Sequence, residues 1–206
     1  MTTPIKTKRQ YCSKCHYPQK TCLCAWVSPI DSPVNIVVLQ HPKEVKHAKN
    51  SVKLLHLGLK AVNVLVGESP GDWAELIESA IQAPEKFSVC YPDEQSTPLE
   101  SLDSDAQKQQ SFPTGHTVIF IDASWRKALK IWLLNPWLHN LQTWHFSAPP
   151  ANKYQIRHTT QENSLSTLES VAYVLEFTKN IDCTALYVLF EKMQEICFIK
   201  GHKSKG

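Results

Sequence analysis

An α/β domain with a mainly parallel sheet flanked by helices is the fold class this sequence predicts. Short runs rich in β-branched and apolar residues recur at 34–40, 61–67, 86–92 and 116–122. Stretches with helical apolar spacing lie between and after them. The first run, VNIVVLQ, is nearly all apolar, as expected of a parallel strand buried on both faces.

Each element can be justified in order. Residues 1–10 form a polar, basic tail, expected to be flexible, and residues 11–30 hold a cysteine-rich knuckle. Residues 31–206 form the α/β domain. After strand 34–40, the residues Val45, Ala48, Val52, Leu55 and Leu59 recur at helical spacing, with Gly58 near the expected end. That predicts one amphipathic helix. Strand 61–67 is followed by the turn ESPGDW and a helix over 72–82, and strand 86–92 stops at Pro92. The polar, acidic stretch 93–111 lacks periodicity and predicts a long mobile loop. Strand 116–122 leads into a helix over 124–134 whose apolar face is read as Trp125, Ala128, Leu129, Trp132 and Leu133. Residues 143–147 suit a fifth strand, 148–164 an irregular loop, and 165–179 and 183–200 two C-terminal helices.

Composition excludes several classes. No apolar run reaches the roughly 18 residues of a membrane span, and the first ten residues lack the apolar centre of a signal peptide, so a cytoplasmic location is expected. None of the six glycines forms a dinucleotide-binding or Walker loop. G-x-S-x-G and H-E-x-x-H are also missing. The net charge is only +3, yet the basic residues cluster. Lys43, Lys46, His47, Lys49, Lys53 and His56 share one segment, and Arg126, Lys127 and Lys130 share another. Each cluster alone reads as a solvated face; together they point to a phosphate-bearing partner.

Cys12, Cys15, Cys22 and Cys24 follow the pattern C-x2-C-x6-C-x1-C. Four soft thiolates on a short, turn-rich segment suit tetrahedral Zn2+, and a full set of four leaves no open coordination position, so the metal is expected to be structural. Cys90, Cys183 and Cys197 lie in apolar stretches and read as buried hydrophobes. In an open parallel sheet ligands bind beyond the carboxyl ends of strands. That rule gathers LQHP (39–42), VGESP (66–70), IDASW (121–125) and LSTLE (165–169) at one edge. Asp122 ends a strand there. It suits either a helix cap or a reactive carboxylate, and Ser124 serves equally well as the cap.

The stretch Asp122, Ala123, Ser124, Trp125 resembles the D-x-T-W signature of the DTW-domain family, with Ser for Thr. The cysteine cluster, LQHPKEVKHAKN, YQIR and LSTLES resemble the family's other motifs in the same order, from residue 11 to about 180. The resemblance implies a SPOUT-like domain with a C-terminal trefoil knot. It implies transfer of the 3-amino-3-carboxypropyl group from S-adenosylmethionine to N3 of a tRNA uridine, releasing methylthioadenosine. Asp122 becomes the expected general base, since N3 is a poor nucleophile until its proton leaves. Apolar walls at Leu39, Val66, Ile121 and Leu165, with Gln40 and backbone groups of Ser166 and Thr167, are the expected cofactor contacts. Ser166 and Thr167 also suit helix capping. Lys46, Lys49 and Lys53, on one helix face, and Arg126 and Arg157 are the expected tRNA contacts, and the Arg157 guanidinium suits the cofactor carboxylate as well. Trp125 is expected to anchor the helix in the core, with base stacking as the lesser alternative. No protein partner is implied. The rivals are a SPOUT-type tRNA or rRNA methyltransferase and a non-catalytic, zinc-containing RNA-binding module.

Overall fold

The structure is a computed structural model and describes residues 9–47, 49–151 and 165–199. Six strands form one sheet: β1 (Asn35–Gln40), β2 (Asn63–Val66), β3 (Phe87–Cys90), β4 (Thr97–Pro98), β5 (Thr117–Asp122) and β6 (Gln142–His145). Their order is β2-β1-β5-β3-β6-β4, and neighbouring strands among the described residues pair in parallel. In β1 all residues after Asn35 are buried, and β5 is buried throughout except for the half-buried Ile121. These strands are covered on both faces, which is why they read as unbroken apolar runs.

Two hydrophobic clusters occupy the two faces. Ile36, Val38, Val118 and Phe120 face one side and meet α6 (Thr167–Lys179) and α7 (Thr184–Gln194) through Leu168, Val171, Leu175, Leu186 and Phe190. Val37, Leu39 and Ile119 face the other side and meet α5 (Trp125–Leu134) through Ala128, Ile131 and Trp132. The knuckle joins the α6/α7 cluster by Cys15, Tyr17 and the fully buried Leu23.

Three sequence expectations need correction. The single helix after β1 is two short ones, α1 (Pro42–Val45) and α2 (Val52–Gly58). The buried Asn50 separates them. Its amide donates to the carbonyls of Glu44 and Val45, and its oxygen accepts from Val52 N–H, so a side chain takes the place of helical backbone partners. Ala48 lies outside the described residues.

The stretch 93–111 is not a loop throughout. It contains β4, a 3-10 turn at Leu99–Ser101 and α4 (Asp105–Ser111). Leu99 and Leu102 anchor it in the core, and Ser104 and Gln107 form a capping box at α4.

On α5 the expected apolar face is displaced. Ala128, Ile131 and Trp132 are buried, whereas Trp125, Leu129 and Leu133 are 43%, 48% and 62% exposed. The helix is apolar over a wide arc, and the stack of Trp132 on Tyr91, with centroids 4.6 Å apart, selects the buried side.

Candidate active site and metal knuckle

The chain runs from β1 to β2 on one side and from β5 through β6 to the other, so strand order reverses between the adjacent strands β1 and β5. A crevice opens at such a point beyond the carboxyl ends. The register places Val66, Gln40 and Asp122 side by side there, on β2, β1 and β5. By strand alternation all three face the α6 side.

Asp122 is 8% exposed and is gripped from two elements. Gln40 Nε2 donates to Oδ2 at 2.8 Å, and Thr167 Oγ1 donates to Oδ1 at 2.6 Å. Gln40 Nε2 also reaches Asn50 Oδ1 at 3.3 Å, tying the carboxylate to the break between α1 and α2. The main chain reinforces the alignment, with His41 N–H donating to the Asp122 carbonyl and Gly67 N–H to the Gln40 carbonyl. Thr167 is held in turn by the start of α6. Ser166 Oγ accepts from Glu169 N–H, and the Glu169 carboxylate accepts from Ser166 N–H. Ser166 is therefore the cap, while the Thr167 hydroxyl turns to Asp122 instead. Ser124 occupies the N-cap position of α5 through its backbone carbonyl, without a side-chain cap bond.

The proposed cofactor residues divide. Val66, Gln40 and Thr167 converge with Asp122 on the α6 side, and Leu165 and Ser166 directly precede Thr167. Leu39 is fully buried in the α5-side cluster, and Ile121 packs against the same cluster, so neither shares a face with the carboxylate. Lys46 ends α1, Lys49 follows it and Lys53 lies in α2, so they do not form one helix face. Arg157 lies outside the described residues. Arg126 is exposed and forms no ion pair among the described residues.

Sequence reading missed the clasp around the crevice. His41 Nδ1 accepts from Lys43 N–H at 3.0 Å, which leaves Nε2 to donate to Glu68 Oε1 at 2.9 Å. Lys130 reaches Glu68 Oε2 at 2.8 Å and draws the Glu68 carboxyl below its usual range. Lys127 meets the buried Glu44 at 2.8 Å. Two lysines assigned to a basic surface thus tie α5 to α1 and to the loop after β2. An i, i+3 lysine pair facing two acids in the segments just after β1 and β2 was the available signal.

In the knuckle the Sγ atoms of Cys12, Cys15, Cys22 and Cys24 all lie within 4.8 Å of one another. Two of the separations are 3.6 and 3.7 Å. A tetrahedron with Zn–S bonds near 2.3 Å has S–S edges of roughly 3.8 Å, so the donor set fits Zn2+. His16 adopts φ 56° in the tight turn after Cys15 and is outside the donor set. Backbone N–H groups of Cys15 and Lys14 pull the Cys12 thiol down to about 6, whereas the neighbouring Cys22 and Cys12 thiols push Cys24 up to about 12. A divalent cation is what allows four adjacent thiolates to coexist.

The curated relatives that the chain resembles include the "tRNA-uridine aminocarboxypropyltransferase 2" proteins of Drosophila melanogaster, Mus musculus and Macaca fascicularis. The first is 31% identical over 82% of this chain, the second 26% over 92%, and the third 27% over 82%. The chain spans 66%, 63% and 56% of their respective lengths, under two thirds in each case. No solved structure matches the chain significantly. The model of the DTW domain matches residues 9–198, from the knuckle through Asp122 and Thr167 to the end of the described C-terminus, and the chain belongs to the DTW domain family.

Proposed function

We propose that this chain is a tRNA-uridine aminocarboxypropyltransferase that takes its group from S-adenosylmethionine. One observation carries the reading: a buried carboxylate at the sheet's switch point, oriented by Gln40 and Thr167, in a member of this family. Asp122 accepts the N3 proton of the target uridine. The N3 electron pair then forms a bond to the γ-carbon of the aminocarboxypropyl group. The carbon–sulfur bond breaks, its electrons neutralise the sulfonium, and methylthioadenosine leaves. Opposite charges cancel as the bond forms, which a dry crevice favours over the charged ground state. Attack at this carbon rather than the methyl requires it to lie in line with N3 at about 3–3.5 Å.

The domain is read as SPOUT-like with a C-terminal trefoil knot. The all-parallel sheet and the return of the α6 N-terminus to Asp122 support that reading. Its bounds are taken as 31–206, with the zinc knuckle at 11–30 and a basic segment at 1–10; residues 1–8 and 200–206 lie outside the described residues. Zinc would be held by Cys12, Cys15, Cys22 and Cys24 and would cross-link the knuckle. Lys46, Lys49, Lys53, Arg126 and Arg157 are proposed to meet tRNA phosphates in the cytoplasm. Among the described residues no helix is long and apolar enough to cross a membrane.

Incubation with S-adenosylmethionine and unmodified tRNA tests the reading. Methylthioadenosine is the expected by-product. S-adenosylhomocysteine would establish a methyltransferase instead, and neither by-product a non-catalytic binding module.

A further inference from the structure

An apolar stripe on α5 stays exposed. Trp125, Leu129 and Leu133 stand at i, i+4 and i+8, so they form one row along the helix. None belongs to either hydrophobic cluster among the described residues. Trp125 is 43% exposed, whereas Trp73, Trp132, Trp137 and Trp144 are all at most 9% exposed. It is also the first residue of α5, at the rim where β5 ends in Asp122. Three residues of chain span at most about 11 Å, which places the Trp125 backbone at the same rim of the sheet as Asp122. Arg126 lies next to the stripe with no ion pair among the described residues, while Lys130 and Lys127, further round the helix on the same side, are neutralised by Glu68 and Glu44. A bare aromatic surface beside an unneutralised guanidinium matches the chemistry of an unpaired nucleotide: a π-face to stack and a phosphate to bind.

From this arrangement we infer that Trp125 is a stacking platform for an unpaired base of the RNA substrate, with Arg126 holding the adjacent phosphate. The inference rests on the proposed action on tRNA, but not on which group is transferred. Stacking persists from the bound state to the transition state, so it acts on KM rather than kcat.

The test uses the full chain and an unmodified tRNA transcript. Trp125→Ala should weaken RNA binding roughly 5- to 150-fold at every salt concentration, and Trp125→Phe should restore most of the loss. Where turnover is measured, KM for tRNA should rise with kcat nearly constant. Arg126→Ala should lower the slope of log affinity against log salt by about 0.7–0.9, whereas Trp125→Ala leaves that slope unchanged. Acrylamide quenching adds a direct reading: tRNA should protect an accessible tryptophan in the wild type, and Trp125→Phe should abolish that protected signal. Binding of Trp125→Ala within twofold of wild type overturns the inference. So does loss of self-association in Trp125→Ala with tRNA protection intact, because the stripe would then be a contact between copies. Failure of the transfer reaction itself appears as missing methylthioadenosine in the wild type and leaves the binding and quenching results standing.

Discussion

Thr167→Val is the most informative perturbation of the candidate site. The substitution keeps the shape of the side chain and removes only the hydroxyl that donates to Asp122 Oδ1 at 2.6 Å. Asp122 is 8% exposed, so bulk water is a poor replacement for that donor. A hydrogen bond to a charged group contributes about 1.5–3 kcal/mol. If it acts by holding the carboxylate in line with the substrate proton, kcat should fall roughly 10- to 160-fold at 1.36 kcal/mol per decade. The assay is single-turnover release of methylthioadenosine from S-adenosylmethionine and unmodified tRNA, with tRNA binding measured in parallel. Binding should change little, because the hydroxyl faces the carboxylate and not a phosphate. Thr167→Ser keeps the donor and should retain most of the rate. A rate for Thr167→Val within twofold of wild type refutes the argument. A serine variant as slow as the valine variant refutes it equally, because packing of the methyl group would then be the cause.

Other predictions follow from the same geometry and chemistry. Asp122→Asn should lower kcat by about 10²–10⁴-fold with tRNA binding intact, and an unchanged turnover rate would remove Asp122 as the base. The purified protein should contain one zinc per chain by elemental analysis, and Cys15→Ser, at a buried ligand position, should lose the metal and melt earlier. Burial, with a smaller contribution from Lys179, holds His116 down at about 4, so the folded state resists its protonation. The unfolded chain binds that proton near 6.5, so stability is full above that pH and declines as the pH falls toward 4. The difference is about 3 kcal/mol, and urea unfolding at pH 7 and 4.5 should show a smaller loss for His116→Gln than for wild type.

What was legible in the sequence depended on how local its cause was. β1 and β5 were readable because two-sided burial makes each position apolar, and the carboxyl-edge rule then placed Gln40, Val66 and Asp122 together. The four thiols were readable because their local spacing alone suits a tetrahedral donor set. The break at Asn50 was not, since it depends on one amide reaching carbonyls five and six residues back. The buried side of α5 was ambiguous because apolar residues cover much of its circumference, and only packing against the sheet and Tyr91 chooses among them. The partners of Asp122 come from positions 82 and 45 residues away. Motif spacing carries no information on such distant hydrogen bonds. The stretch 93–111 was misread from its charge, although the S-x-x-Q box and Leu99 were visible.

The Gln40–Asp122 hydrogen bond closes a loop of 82 residues. Its strands pair in parallel, so no hairpin can bring them together early. Contacts of such high sequence separation form slowly. The carboxylate is therefore assembled only after β1 and β5 have joined and α6 has docked. A nascent or partly folded chain holds the same side chains but not the oriented carboxylate. Recovery of transfer activity on refolding should accordingly lag behind the return of helical circular dichroism and track the slowest tertiary phase.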